Sequence, residues 1–227
     1  HLAHRVNECG DEIVAMTMAP EQPADLNWES WVAPKLKSVI QLSPMLPSTP
    51  VVVRPVQPIS IHPGEAKMFY LEVPASLVIR MDGSKHVIKE IPTTLQSKTW
   101  FGPNPTEGDL CLALRISVKE NLASLERHPH RIVCPVEIKN VSGELMHFQR
   151  VRLPLSHLSV YQGKRNMWSN LQRVGHLGHD NWSRITIESK PPSYSGPTTL
   201  LTPPRAPLSK SLLFKSFPEV QSITDVT

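Results

Sequence analysis

The apolar positions of this chain come in short runs, and most runs are closed by proline or glycine within a few residues. Lys67-Met-Phe-Tyr-Leu-Glu-Val73 roughly alternates apolar and polar side chains, the period of a half-buried strand. Ser76-Leu-Val-Ile-Arg-Met81 and Lys85-His-Val-Ile-Lys-Glu-Ile91 flank Asp82-Gly83, a dipeptide that tolerates the positive φ of a tight turn. This predicts a hairpin over Leu77 to Ile91. His62-Pro63-Gly64-Glu65 reads as a turn, because Pro presets φ and Gly permits positive φ. Leu110 to Val118 reads as one long apolar strand, with either Leu110, Leu112, Leu114 and Ile116 or the alternate set facing the core.

Other strands are expected over Ile13 to Met18, Ser38 to Ser43, Arg131 to Lys139, Leu145 to Leu155, Leu158 to Tyr161 and Trp182 to Glu188. Pro55 and Pro58 confine Val51 to Val56 to an edge or to short pieces, and Pro135 interrupts the strand over 131–139. Short helical turns are expected around Trp28 and Trp31 and over Glu120 to Arg127. The 23 prolines in 227 residues argue against long helices, because proline removes a backbone donor and clashes inside a helix. Closely spaced turns between short strands predict a mainly β fold, with sandwich-like or barrel-like antiparallel sheets and short helical turns. Residues 1–188 read as a single β-rich domain. Residues 189–227 read as a Pro/Ser-rich flexible C-terminal tail carrying an apolar-basic piece, Leu208 to Phe217. That piece docks back on the domain, forms a short amphipathic helix, or holds a partner.

Charge changes the picture little. The net formal charge is +4 and the pI about 9.0, with an acidic balance before residue 50 and a basic one from Arg150 to Arg184. A basic face meets phosphates or an acidic partner, and is more often a solvated surface. The three cysteines, Cys9, Cys111 and Cys134, are too few and odd in number for a disulfide framework, which favours a reducing, cytoplasmic setting. Asn140-Val-Ser142 and Asn181-Trp-Ser183 are glycosylation sequons that matter only in a secreted eukaryotic protein. His1 to Arg5 lacks the apolar core of a signal peptide, and no apolar run approaches the roughly 18 residues a membrane span needs.

Candidate chemistry is sparse. His176-Leu-Gly-His179 places two imidazoles three residues apart beside Asp180, and His128-Pro-His130 lies near Cys134; both are metal-ligand types without a standard zinc spacing. Surface histidines are the ordinary reading of each. Glycine-serine elbows and phosphate-binding glycine loops are missing from the sequence. Cys111 and Cys134 sit in apolar strands, where a thiol behaves as a small hydrophobe. Glu65, Glu72, Asp82, Glu107, Asp109 and Glu137 are scattered carboxylates with nothing to pair them. Lys164, Arg165, Trp168, Arg173 and Trp182 interleave bases and aromatics, as a stacking surface for single strands requires, although both tryptophans also suit a core or its rim.

Three stretches carry a family resemblance: Val53-Arg-Pro-Val-Gln-Pro58, Phe69-Tyr-Leu-Glu-Val-Pro-Ala-Ser-Leu-Val78, and Ser97-Lys-Thr-Trp-Phe-Gly-Pro103 leading to Gly108-Asp-Leu-Cys111. In order and spacing the chain resembles, over roughly residues 10 to 190, the prokaryotic family of domains of unknown function numbered 432. Trp100-Phe101-Gly102 departs from the longer Tyr- and Pro-rich turn of archaeal members and looks like a bacterial branch. The resemblance implies a prokaryotic, non-secreted protein with no catalytic residues to carry over, and an association with small mechanosensitive channels.

The leading reading is a non-enzymatic β-rich binding or accessory module with no cofactor. Its contact surface is expected at the turn from Trp100 and Phe101 to Asn104 and at Leu212, Leu213 and Phe214. Its partner is expected to be a protein, a membrane protein included. A metal-dependent enzyme on a β sandwich or barrel using His128, His130, His176 or His179 is the alternative, and single-stranded nucleic-acid binding the third.

Overall fold

A computed structural model describes residues 39–81, 87–114, 118–178, 182–207 and 211–217, and the strand backbone of 2–6, 12–16 and 28–29. Prolines and turns cut the chain into strands too short to be stable alone, so pairing sets the fold. β1 (Leu2–Val6), β2 (Glu12–Met16) and β3 (Trp28–Glu29) pair antiparallel, so Trp28 lies in a strand and not in the expected helical turn. Trp31 lies outside the described residues. β4 (Ile40–Met45) follows; β5 (Val51–Val53) and β6 (Ile59–Ile61) are short because Pro50, Pro55 and Pro58 bound them. At the His62–Glu65 turn Gly64 takes φ 79°, and the Glu65 N–H donates to the His62 carbonyl at 3.0 Å. This reversal launches β7 (Ala66–Pro74), then β8 (Ser76–Met81) and β9 (Val87–Pro92), which pair as the expected hairpin. Its Asp82-Gly83 turn lies outside the described residues.

β10 (Ser97–Phe101), β11 (Asp109–Leu114) and β12 (Val118–Lys119) are followed by a 3-10 turn at Leu122–Ser124, capped where Asn121 accepts from the Ala123 N–H. Next come β13 (Arg131–Asn140), β14 (Met146–Phe148), β15 (Val151–Leu153), a 3-10 turn at Leu155–His157, β16 (Val160–Gln162), β17 (Met167–Ser169), β18 (Gln172–His176) and β19 (Trp182–Ile187). A 3-10 turn at Ser193–Ser195 precedes β20 (Thr199–Thr202) and β21 (Leu212–Lys215).

The strands form curled antiparallel and mixed sheets that make a half-barrel. In the nine-stranded sheet the order is β20-β16-β17-β13-β18-β19-β21, with β7 on the other edge of β13 and β12 beside β7. The four-stranded sheet runs β10-β11-β5-β15. Smaller sheets are β4-β8-β9 and β14-β6. The main core joins the two largest sheets: Phe69, Leu71, Val73, Ile132, Val136, Ile138, Val174 and Ile185 from the large sheet pack with Val51, Val53, Leu112 and Leu153 from the four-stranded one, while Ile79 and Ile91 of the β4-β8-β9 sheet form a cluster of their own.

Of the two alternatives for Val51 to Val56, the structure shows the short piece: Val51–Val53 sits between β11 and β15 and stops before Pro55. The Pro135 expectation is corrected. β13 runs unbroken through Pro135 for ten residues. Pro135 falls where β13 changes neighbour, from β17 at Ile132 and Val133 to β18 from Val136 onward, so its missing N–H falls at a gap in that ladder. Of the strand expected over 110–118, β11 covers Asp109–Leu114 and residues 115–117 lie outside the described residues; Leu112 enters the main core, while Cys111 on the other face joins Val52 and Phe101.

The stretch after residue 189 holds two strands of the large sheet, β20 on β16 and β21 on β19. Thr202 donates its hydroxyl to the Pro44 carbonyl at 2.6 Å, and Arg205 Nε donates to the Leu46 carbonyl at 2.8 Å, which ties this stretch to β4. The Arg152 N–H donates to the Ser216 carbonyl at 2.7 Å, tying the residues after β21 to β15. Phe217 is buried, its ring centroid 5.0 Å from that of Phe148. Of the three alternatives for this segment, the structure shows its described part, residues 211–217, docked back on the domain. Phe217→Ala is expected to cost about 3–5 kcal/mol in urea unfolding. Leu213→Asp, at a position 57% exposed, should change stability by no more than about 0.5 kcal/mol.

Candidate functional site

The β10–β11 ladder pairs Trp100 with Leu110 and Phe101 with Asp109. Alternation sends neighbouring side chains to opposite faces. Phe101 is therefore buried with Val52 and Cys111, while Trp100 and Leu110 stay 41% and 52% exposed. The turn beyond them is tightly built. Trp100 Nε1 donates to the Asn104 carbonyl at 2.8 Å. Asn104 Oδ1 accepts from the Thr106 N–H, the Thr106 hydroxyl and the Glu107 N–H at 2.9, 2.8 and 2.7 Å. Glycine is required at both ends: a Cβ on Gly102 would lie 2.0 Å from the Glu107 carbonyl oxygen, and one on Gly108 2.9 Å from the indole of Trp100. The exposed indole is thus held in one orientation.

Below this turn, Arg152 joins the two regions that sequence reasoning picked as contacts. Its guanidinium lies 4.1 Å from the Phe214 ring centroid and 5.8 Å from that of Phe101, and it meets Asp109 Oδ2 at 2.6 Å. Phe101 and Phe214 are packing partners of this cation, and Leu212 is half-buried against the main core. Leu213 points outward from the edge of the sheet. Sequence reasoning misses Arg152 because its neighbours come from β10, β11 and β21, which nothing local in the sequence brings together.

Among the described residues the candidate histidines do not gather into one site. His128 and His130 precede β13 with ring centroids 6.2 Å apart; His128 Nε2 lies 3.6 Å from Glu126 and 4.0 Å from the buried Glu72. Cys134 is fully buried in the core, its thiol facing the Ile132 carbonyl, so it shares no site with them. His176 faces inward from β18, and His179 lies outside the described residues. Among the described residues no three His, Cys, Asp or Glu side chains gather as a metal site. His130 instead borders a cleft of about 430 Å³ walled by Pro44, Leu77, Ile91, Pro92 and Met167, where the β4-β8-β9 sheet meets the large one.

The other candidates are engaged in packing or pairing. Trp168 is buried with Tyr70 and Val133, and Arg173 pairs with Glu137 and Glu188, while Trp182 stays partly exposed with Lys215 Nζ 5.5 Å from its ring centroid. Asn140 is fully buried, donating to the Ile61 and Glu144 carbonyls and accepting from Ser142, so that sequon is closed to modification. Burial pushes the Cys134 thiol up to about 12 and raises that of Cys111, the latter opposed by Arg152. Neither thiol is poised as a nucleophile at neutral pH.

A family model matches residues 5–222. The chain belongs to that family, described as protein of unknown function (DUF432). No curated protein and no solved structure matches it. Strands β20 and β21 and Phe217 lie inside the matched span, so the DUF432 unit includes the C-terminal strands along with the hairpin. Among the described residues of this DUF432 member, no helix is long and apolar enough to cross a membrane.

Burial holds the His176 imidazole below its ordinary range. Below about pH 6.5 the unfolded chain therefore takes up a proton that the folded chain resists. The stabilisation is whole above that pH and is lost as pH falls further. Urea midpoints measured from pH 7.5 down to 5.5 should decline more steeply in the parent chain than in His176→Gln.

Proposed function

We propose that this chain is a non-enzymatic binding module that grips a protein partner with Trp100 and Leu110 at the end of the β10–β11 hairpin. The orientation of Trp100 carries the reading. A large apolar ring is left exposed, beside an exposed leucine, on a turn whose hydrogen bonds and close glycine contacts hold it still. A rigid aromatic loses little entropy when a partner buries it, and buried tryptophans dominate the energetics of protein interfaces. Asn104 and Glu107 supply a polar rim around the ring. Leu213, outward on the edge strand β21, offers a second apolar contact, while Phe101, Leu212 and Phe214 support the surface from beneath. In this reading the chain is a bacterial, cytoplasmic accessory domain, and a membrane protein is among the partners it serves.

Trp100→Ala combined with Leu110→Ser should reduce partner capture at least tenfold when tagged chain is isolated from gently solubilised native cells, since losing one interface anchor costs about 2 kcal/mol or more. The melting temperature should move by no more than a few degrees, because both side chains are solvent-facing. Identical partner sets from both proteins would overturn the proposal.

A further inference from the structure

A buried polar joint lies under the C-terminal strand. His176 and Ser183 are direct partners in the β18–β19 ladder, and Ser183 is in turn the partner of Phe214 in the β19–β21 ladder. Directly opposed residues share a face of the sheet, with Cβ atoms about 4.5–5.5 Å apart. Just past β21, the Phe217 ring stands edge-on to the His176 imidazole with centroids 5.2 Å apart. Ser216, adjacent to it in the chain, is fully buried, and its carbonyl accepts from the Arg152 N–H.

Four side-chain atoms in this region are buried and lack a hydrogen-bond partner in the protein: Nδ1 of His176, Oγ of Ser183, Oγ of Ser216 and, beside Phe214, Nε of Arg152. Ser183 and Ser216 are 0% exposed and His176 is 7% exposed. A buried polar atom left unpaired is costly, and native interiors satisfy nearly all of them, often with internal water. We infer that His176, Ser183 and Ser216 bind ordered water, which links β18 and β19 to the segment that follows β21.

The chemistry of the three groups selects water over other small ligands. Both hydroxyls donate and accept, and a neutral imidazole nitrogen does one or the other, so the set matches a molecule with two donors and two acceptors. None of the three is charged and the nearby Arg152 guanidinium is already paired with Asp109, which disfavours an anion, and one imidazole with two neutral hydroxyls is a poor ligand set for a metal cation. Gln172, whose amide atoms also lack partners, faces the core four residues earlier on β18, about 13 Å away, and belongs to a different environment.

The test uses the full chain. If water bridges the joint, Ser183→Ala and Ser216→Ala each remove one of its partners and lower the melting temperature by about 2–4 °C, the shift expected for one net hydrogen bond in a chain of this size. If the hydroxyls are dry and unpaired, deleting them relieves a penalty and the melting temperature stays level or rises, which overturns the inference. Should either variant fail to fold, water-to-protein nuclear Overhauser contacts in the parent chain decide. Contacts from long-lived water to the His176 ring and to the Ser183 or Ser216 amides are expected, and their absence overturns the inference.

Discussion

The hydrogen bond from the Arg152 N–H to the Ser216 carbonyl joins the edge of the four-stranded sheet to residues that have just left the edge of the nine-stranded sheet. A half-barrel has two free edges, and free edges are both unsatisfied and prone to pair with other chains. Here β21 covers β19, and the residues after it reach β15. The same few residues seat Phe217 in the core against Phe148 and place Phe214 under the Arg152 guanidinium. Closure, core filling and charge neutralisation with Asp109 therefore meet at one side chain and one backbone amide.

The buried polar groups of this chain serve its architecture. Asn140 ties a turn to β6, Arg205 ties the C-terminal stretch to β4, and Arg152 holds two sheets. Among the exposed apolar side chains, Trp100 and Leu110 stand at the end of a hairpin braced from below by the Phe101–Arg152–Phe214 stack. On the binding reading we propose, the bracing matters because an anchor fixed before contact loses less freedom on binding.

Local signals in the sequence reveal local structure. The hairpin over Leu77 to Ile91, the Gly64 turn and the strand from Ala66 follow from alternation and turn chemistry alone, and the family is legible from three short stretches. Long-range pairing is not. A Pro/Ser-rich composition marks residues after 189 as poor in self-contained structure, yet β20 and β21 need only an edge to pair with, and that edge is supplied by β16 and β19. Pro135 reads as a break because the gap it falls in is made by two other strands. Nearness in sequence groups His128 with Cys134, but His128 lies in the approach to β13 while Cys134 is packed in the core. Trp100 is legible as a candidate contact; its buried neighbour Phe101 is not distinguishable from it, since the ladder register decides which of the two faces water.

If the C-terminal strand is part of the cooperative core, the Arg152 amide should report it, because its acceptor is Ser216. Native-state hydrogen exchange at that amide is the direct measurement. It should exchange with the same opening free energy as the inward-facing β13 residues Ile132 and Val136, through global unfolding. Exchange at Arg152 through a separate, much cheaper opening, with β13 still protected, would contradict this and make the last strand an accessory to a barrel that stands without it.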